Sequence, residues 1–218
     1  MKKNYKIILF IIFVLIGGYF VLTGENGIKN QIAAEPTTEV YSNPDIGLEF
    51  DFKTGTDGYG VVEMDPQEGE KEFLKSVILM QAEDVANMDN MPEGGEGPPI
   101  IAALVFKNIK KLSSSAWVAA YPNFSNIAAK QGELMDVVVG GANGVRYKAD
   151  GLYASEIFVV AHGDNVYVFV GMYIDEESEI RKDFVPIVES VRFIPLAVPG
   201  AISVPATPTT PVVPAVKP

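Results

Sequence analysis

The chain has 218 residues, no cysteine and a formal net charge of −11. Without cysteine it forms no disulfide, offers no thiolate to a metal and has no cysteine for lipid attachment. The acidic balance repels phosphate backbones, so nucleic acid is not expected as a partner. Hydrophobic residues make up 48 % of the sequence, which is enough for a packed core.

The N-terminus combines lysines, the last of them Lys6, with an uncharged apolar run from Ile7 to Leu22. As a helix this run would span about 24 Å, somewhat less than a membrane core of about 30 Å. No small-residue cleavage signal follows it. Residues 7–23 therefore predict a single-pass anchor in the cell membrane, with residues 1–6 in the cytoplasm and the rest outside. A cleaved signal peptide, giving a secreted protein, is the alternative.

The composition then divides the chain into a tether, a domain and a tail. Residues 24–40 are polar and lack a clear period, which predicts a tether. A globular domain is expected over residues 41–194. Residues 195–218 contain seven prolines, a density that predicts disorder. Four of them, from Pro205 to Pro214, recur at every third residue, as in a polyproline II spacer or a ligand for an aromatic groove.

Inside the domain the dominant period is two, which is typical of strands with one buried face. Apolar and polar residues alternate strictly over residues 46–52. Further strands are predicted at residues 59–64, 73–81, 100–106, 134–139, 144–149, 154–161, 166–173 and 191–194. Turn residues separate the four strands between 134 and 173, so this part is predicted to be an antiparallel meander.

Two segments predict helices. The serines at 113–115 can cap a short helix that contains Trp117 and ends at Pro122. Residues 175–190 begin with three acids, which favour the positive end of a helix dipole, and their apolar residues have helical spacing. Pro186 interrupts this second run. The predicted fold is therefore α+β, with one antiparallel sheet and helices packed on it.

Sequence features at both ends of the domain support a family resemblance. Near the start, an aromatic residue and a turn precede Gly47-Leu48-Glu49-Phe50, and near the end a helix leads into Ser190-Val191-Arg192-Phe193. With Trp117 after its serine cap, residues 41–194 resemble the PsbP/Mog1-like superfamily of α/β/α sandwich domains. The first loop departs from that pattern, because Lys53-Thr54-Gly55 stands where the family often has aromatic-proline and then Gly-Trp. The resemblance implies a non-enzymatic, protein-binding module.

The sequence predicts neither catalytic nor cofactor-binding residues. His162, the single histidine, lies in the segment 162–165, where Asp164 is too near in sequence to orient it as a catalytic base. We expect an exposed turn histidine, and one histidine without cysteine does not predict a zinc site. The glycines of residues 55–60 have the reverse of the dinucleotide-binding spacing, so a turn is predicted there.

Carboxylates concentrate between Glu63 and Glu96. This segment contains ten of them and only two lysines. Oxygen ligands of this type suit calcium or manganese, and the candidate ligands are Asp84, Asp89, Glu93 and Glu96. The segment departs from the EF-hand pattern, so solvated acidic loops are the default interpretation. The loop at residues 87–99 is long for a compact domain, which makes it a candidate binding loop.

The expected function is that of a membrane-anchored, extracytoplasmic, non-enzymatic binding or assembly module with a protein partner. Two alternatives stay open. An extracytoplasmic hydrolase would assemble a pair of carboxylates in space, which sequence spacing does not reveal. A divalent-cation-binding module would use the acidic loops between residues 63 and 96. A concave pocket with acids beside His162 would favour the hydrolase.

Overall fold

The computed structural model describes residues 37–67, 72–87 and 97–197. The predicted anchor, with Lys6, Ile7 and Leu22, lies outside these residues, as do most of the predicted tether and tail. Among the residues described, no helix is long and apolar enough to cross a membrane. The described chain is α+β, as predicted, and all of its strand pairs are antiparallel.

The smaller of two sheets has three strands in the order β1-β2-β10. They are β1 (Thr37–Asn43), β2 (Leu48–Thr54) and β10 (Arg192–Phe193). Strand β1 begins before the predicted domain start at Tyr41. Its first four residues are exposed and show no apolar alternation, which is why the sequence pattern did not indicate a strand there. The prediction of one sheet is wrong, because β2 and β10 pair with each other away from the remaining strands.

The larger sheet has seven strands in the order β3-β4-β5-β9-β8-β7-β6. Their bounds are β3 (Tyr59–Met64), β4 (Phe73–Gln81), β5 (Ile101–Lys107), β6 (Lys130–Val139), β7 (Ala142–Ala149), β8 (Ala154–His162) and β9 (Asn165–Tyr173). Strands β6 to β9 are successive neighbours, which confirms the predicted meander. Gly140 and Gly141 join β6 to β7 with positive φ angles of 56° and 79°, as a two-residue type I′ turn requires.

Four α-helices and one 3-10 helix, Ile127–Ala129, lie in the described chain. The α-helices are α1 (Ala82–Ala86), α2 (Ser114–Ala120), α3 (Pro122–Ser125) and α4 (Glu179–Glu189). The Ser113 hydroxyl caps α2, as predicted, by accepting a hydrogen bond from the Ala116 amide at 3.3 Å. Pro122 follows the end of α2 and begins α3, because proline fits the first turn of a helix.

Helix α4 begins later than the acids at 175–177 suggested. The Asp175 carboxylate accepts a hydrogen bond from the Glu177 amide at 2.9 Å and holds this segment in a turn. The helix then continues through Pro186 to Glu189. Its apolar face packs on the large sheet, where Phe184 is fully buried and meets Phe158 edge-on at 5.6 Å.

The large sheet is packed on both faces. The small sheet and α4 cover one face, and α2 covers part of the other, where Trp117 lies 5.3 Å from the ring of Phe106. Trp117 and Phe50 are 1 % and 2 % exposed. The burial of each side chain therefore stabilises the folded state by about 1.5–3 kcal/mol. The result is a three-layer arrangement in which the seven-stranded sheet is the middle layer.

Loops gather at two ends of the sheet because neighbouring strands run in opposite directions. We call one the acidic end; its loops are residues 55–58, 82–87, 97–100, 150–153 and 174–178. We call the other the turn end; its described loops include residues 44–47, 65–67, 108–113, 140–141 and 163–164, and residue 72. Thr37 lies opposite Thr54 at the acidic end. The Ala197 amide donates to the Pro44 carbonyl at 2.8 Å, at the turn end. The described chain therefore enters and leaves the fold at opposite ends.

Candidate functional site

The described loops of the acidic end contain seven carboxylates and no lysine or arginine. They are Asp57, Glu83, Asp84, Asp150, Asp175, Glu176 and Glu177. Cations on the neighbouring strand and helix pair with two of them: Lys148 Nζ lies 2.7 Å from Glu176, and Lys182 Nζ lies 4.0 Å from Glu177. The negative charge of this end is thus partly balanced from within the domain, and only Glu83 and Asp84 of the seven belong to the predicted acidic segment 63–96.

Of the four predicted metal ligands, only Asp84 falls within the described residues, on α1. Burial, and to a smaller extent the neighbouring Glu83, raise the pKa of the Asp84 carboxyl. Asp89, Glu93 and Glu96 lie outside the described residues, so their arrangement around a cation stays a prediction. Over the ranges that the structure describes, no three histidine, aspartate or glutamate side chains come together as a metal site.

Glu63, the first of the ten predicted loop carboxylates, lies on strand β3 and is held in a polar network. Its Oε1 accepts hydrogen bonds from the Tyr41 hydroxyl at 2.5 Å and from Asn43 at 3.2 Å, and Lys75 Nζ lies 2.9 Å from its Oε2. Burial alone would raise the pKa of Glu63, but these hydrogen bonds outweigh it and lower the pKa. Glu63 therefore connects the small sheet to the large one, and it lies on a strand and not in a loop.

Among the described residues, the most deeply buried carboxylate is Glu156 on β8, which is 4 % exposed. Arg181 of α4 lies 3.0 Å from its Oε2, and Arg146 of β7 lies 3.9 Å from its Oε1. The Arg181 guanidinium also lies over the Tyr173 ring, 5.4 Å from the centroid. These contacts fix α4 against β7–β9, so the Glu156 charge has a structural partner on the same face.

A second buried carboxylate, Asp183, joins α4 to the opposite side of the domain. Lys53 Nζ of β2 lies 2.6 Å from Asp183 Oδ1, and the Tyr59 hydroxyl of β3 donates to Oδ2 at 3.1 Å. Burial and the Asp183 charge raise the pKa of Tyr59, so its hydroxyl stays a donor at neutral pH. Glu156 and Asp183 therefore anchor α4 to strands on either side of it.

His162 is the last residue of β8 and is exposed, as predicted. Its ring stacks on the ring of Phe193 with a centroid distance of 4.4 Å and an angle of 12°. Asp164 pairs with Lys111 and does not orient the histidine. The contacts of His162 are thus aromatic, and the residue contributes to the packing of β10 against the turn end.

The described interior offers no room for a substrate between α4 and the large sheet. A gap there is lined by apolar residues, including Phe50, Phe169 and Ile187, and has a volume of about 10 Å³. This is about the space of one water molecule, and it lacks the polar groups that would hold a water. The glycine-rich segment 55–60 is the predicted turn and the start of β3.

Strand β6 is the most exposed strand of the large sheet. Residues 131–136 are all exposed, and so is Val138. Three large apolar side chains of this strand are exposed to solvent: Leu134 is 39 %, Met135 45 % and Val138 68 % exposed. We call residues 133–139 the β6 edge. Three neighbouring exposed apolar side chains on an unpaired edge are typical of a surface that meets another chain.

Sequence reasoning found β6 as a strand but not as an edge. Its apolar run, Val137-Val138-Val139, looks like that of a buried strand, and pairing order cannot be obtained from one strand's own residues. The buried charges were missed for a similar reason. Glu156 and Arg181 are 25 positions apart in the chain and meet only because α4 folds back over β8.

Several solved structures match this chain. No family model matches the sequence, and no curated protein matches it. The structure is similar to the solution structure of cyanobacterial PsbP from Synechocystis sp. PCC 6803, with a TM-score of 0.45 and 13 % sequence identity. The match covers 79 % of this chain and 99 % of that chain. At this identity and TM-score it says nothing about function.

Proposed function

We propose that the chain is an extracytoplasmic binding or assembly module that meets a protein partner through the β6 edge and performs no chemistry itself. The observation that supports the proposal is the set of exposed apolar side chains on β6, with Met135 and Val138 on opposite faces of this edge strand. Exposed apolar surface next to a sheet edge is unfavourable in water, so a partner that covers it gains binding free energy.

The proposal includes the predicted anchor. In this arrangement residues 7–23 hold the chain in the membrane, and the tether joins the domain at Thr37, at the acidic end. The acidic end then faces the bilayer, and anionic lipid repels it. The β6 edge runs between the two ends of the sheet and stays accessible from the side. Attachment to the membrane is tested by fractionation: mature protein that starts beyond Leu22 in the soluble fraction would show secretion instead.

The alternatives have no supporting observation among the described residues. A hydrolase needs a pair of carboxylates facing a substrate-sized space, whereas Glu156 and Asp183 are both engaged by cations at 3.0 Å or less. Calcium or manganese binding by the acidic loops stays a prediction, because Asp89, Glu93 and Glu96, three of its four candidate ligands, lie outside the described residues.

Photocrosslinking in native membranes tests the proposal. The full chain carries a photoreactive amino acid at Met135 in one version and, as the control, at Ile174 in another. Ile174 is apolar and 71 % exposed, so random collisions favour it over Met135, which is 45 % exposed. We expect Met135 to give a discrete adduct with one protein and Ile174 to give none. Equal labelling at both positions, or no adduct from either, would contradict the proposal.

A further inference from the structure

The backbone of the β6 edge has hydrogen-bonding groups directed away from the sheet. In a two-residue hairpin the residues on either side of the turn exchange both backbone bonds, and the pattern alternates from there. Val139 pairs with Ala142, Val137 with Gly144 and Met135 with Arg146, so these residues bond to β7. The amide and carbonyl groups of Asp136 and Val138 therefore point outward, where no described residue meets them.

The length available for pairing is short and well defined. The register between β6 and β7 shifts between Gln131 and Met135, and Gly132 has a φ of +71° within this bulge. A bulge bends an edge strand and ends regular pairing. The regular part of the edge is therefore residues 135–139. An added strand of about five residues, roughly 17 Å long, would match it.

Apolar and charged groups on the edge determine which strand would fit. Met135 and Val137 lie on one face of β6, and Asp136 and Val138 lie on the other. Within the described ranges, neither Glu133 nor Asp136 forms a salt bridge. The one lysine of the strand, Lys130, donates to the Gly132 carbonyl. The edge therefore has uncompensated negative charge beside exposed apolar side chains.

From these observations we infer that the β6 edge accepts an extended, cationic segment of a partner protein as an additional antiparallel strand. Asp136 and Val138 supply the main-chain bonds, Met135 and Val137 receive alternate apolar side chains, and Glu133 and Asp136 attract lysine or arginine. A second copy of this chain fits less well, because it would bring four unpaired carboxylates to one junction. The inference rests on the proposed function and names the chemistry of its partner.

The test uses a labelled Val-Lys-Val-Lys-Val peptide and the full chain in a non-ionic detergent. Fluorescence anisotropy measures the affinity of the protein for three labelled peptides. They are the unmodified lysine peptide, the same peptide methylated at every backbone nitrogen, and a Val-Glu-Val-Glu-Val peptide. Methylation keeps the side chains and the charge but removes the backbone donors. We expect both altered peptides to bind at least about tenfold more weakly, and raised salt to weaken the lysine peptide.

Variants of the protein provide the matching control. Val138→Pro removes the outward amide, whereas Val138→Thr keeps it at nearly the same size. We expect the proline variant to bind the lysine peptide about tenfold more weakly than the threonine variant. If Val138→Pro disturbs folding, seen as a changed circular dichroism spectrum, the methylated peptide still tests the backbone contribution on the unaltered protein.

Four results would overturn the inference. The first two are an affinity for the methylated peptide, or for the glutamate peptide, equal to that for the unmodified lysine peptide. The third is a dimer that forms without peptide and that Val138→Pro dissociates. The fourth is peptide binding that appears only after deletion of residues 198–218. The third result would assign the edge to a second copy, and the fourth to the chain's own C-terminal segment. A Met135 crosslink in membranes together with any of these results would leave the proposed function standing and remove only the strand-addition mechanism.

Discussion

The two edge strands of the large sheet, β3 and β6, have opposite surroundings. On β3, Glu63 bonds to Tyr41 of the small sheet and Tyr59 bonds to Asp183 of α4. On β6, the residues from Gln131 to Asp136 are all exposed. The side chains of Glu63 and Tyr59 on β3 thus have partners within the domain, while the backbone groups of Asp136 and Val138 on β6 face outward. The difference shows that the fold covers one side of its sheet with its own elements and presents the other.

The largest effect on stability is expected from weakening the packing of the small sheet, which lies on the β3 side. Phe50 is 2 % exposed and stacks on Tyr41 at 4.9 Å, so Phe50→Ala should cost about 3–5 kcal/mol of unfolding free energy. Urea unfolding of the full chain in detergent, followed by the fluorescence of Trp117, the single tryptophan, measures it. Val40→Ala on the same sheet, 57 % exposed, is the control and should change little. Equal midpoints for the two variants would show that the small sheet does not stabilise the fold.

A smaller effect is expected from Glu63→Gln, and it should depend on pH. The folded state lowers the pKa of Glu63 below its ordinary value of 4.5. Its contribution is therefore complete above about pH 4.5 and is lost as the pH falls through the lowered pKa. Because the side chain is 39 % exposed, solvent screening limits the contribution to about 0.5 kcal/mol. Urea midpoints of the two proteins should differ at pH 6 and approach each other as the pH falls through the lowered pKa. A constant difference would assign the effect to packing.

The smallest effect is expected on the β6 edge. Val138→Thr, at 68 % exposure, should change the unfolding free energy by no more than about 0.5 kcal/mol. The same substitution at Val77, which is 1 % exposed on β4, buries a hydroxyl and should cost about 1–3 kcal/mol. The pair compares one chemical change in two environments. A large loss at Val138 would mean that the edge is covered in the free protein.

Local pattern predicted much of the fold. The bounds predicted for β3 and β4 match the observed strands, because both have β-rich residues between clear turn signals. Strand β1 could not be found this way, since only Tyr41 among its seven residues is buried. The division into two sheets was also out of reach. It depends on β2 pairing with β10, and Glu49 and Arg192 lie more than a hundred residues apart.

The candidate site was less accessible to sequence reasoning than the fold. Composition showed where carboxylates concentrate, but not that Lys75 neutralises Glu63 or that Arg181 meets Glu156. Pairing of charges depends on tertiary geometry, which a single sequence encodes only through its final fold. The β6 edge illustrates the same limit. Its valines have a high strand propensity whether the strand is central or lies at an edge.

The opposite positions of Thr37 and Ala197 determine how the domain would respond to tension. A pull between these residues draws β1 toward the acidic end and β10 toward the turn end, each sliding along β2. Backbone bonds perpendicular to the strands then resist together in shear. Seven residue pairs join β1 to β2, but only Arg192 and Phe193 join β10 to it. The C-terminal strand should therefore detach first, and single-molecule pulling would record this as an early, low-force extension.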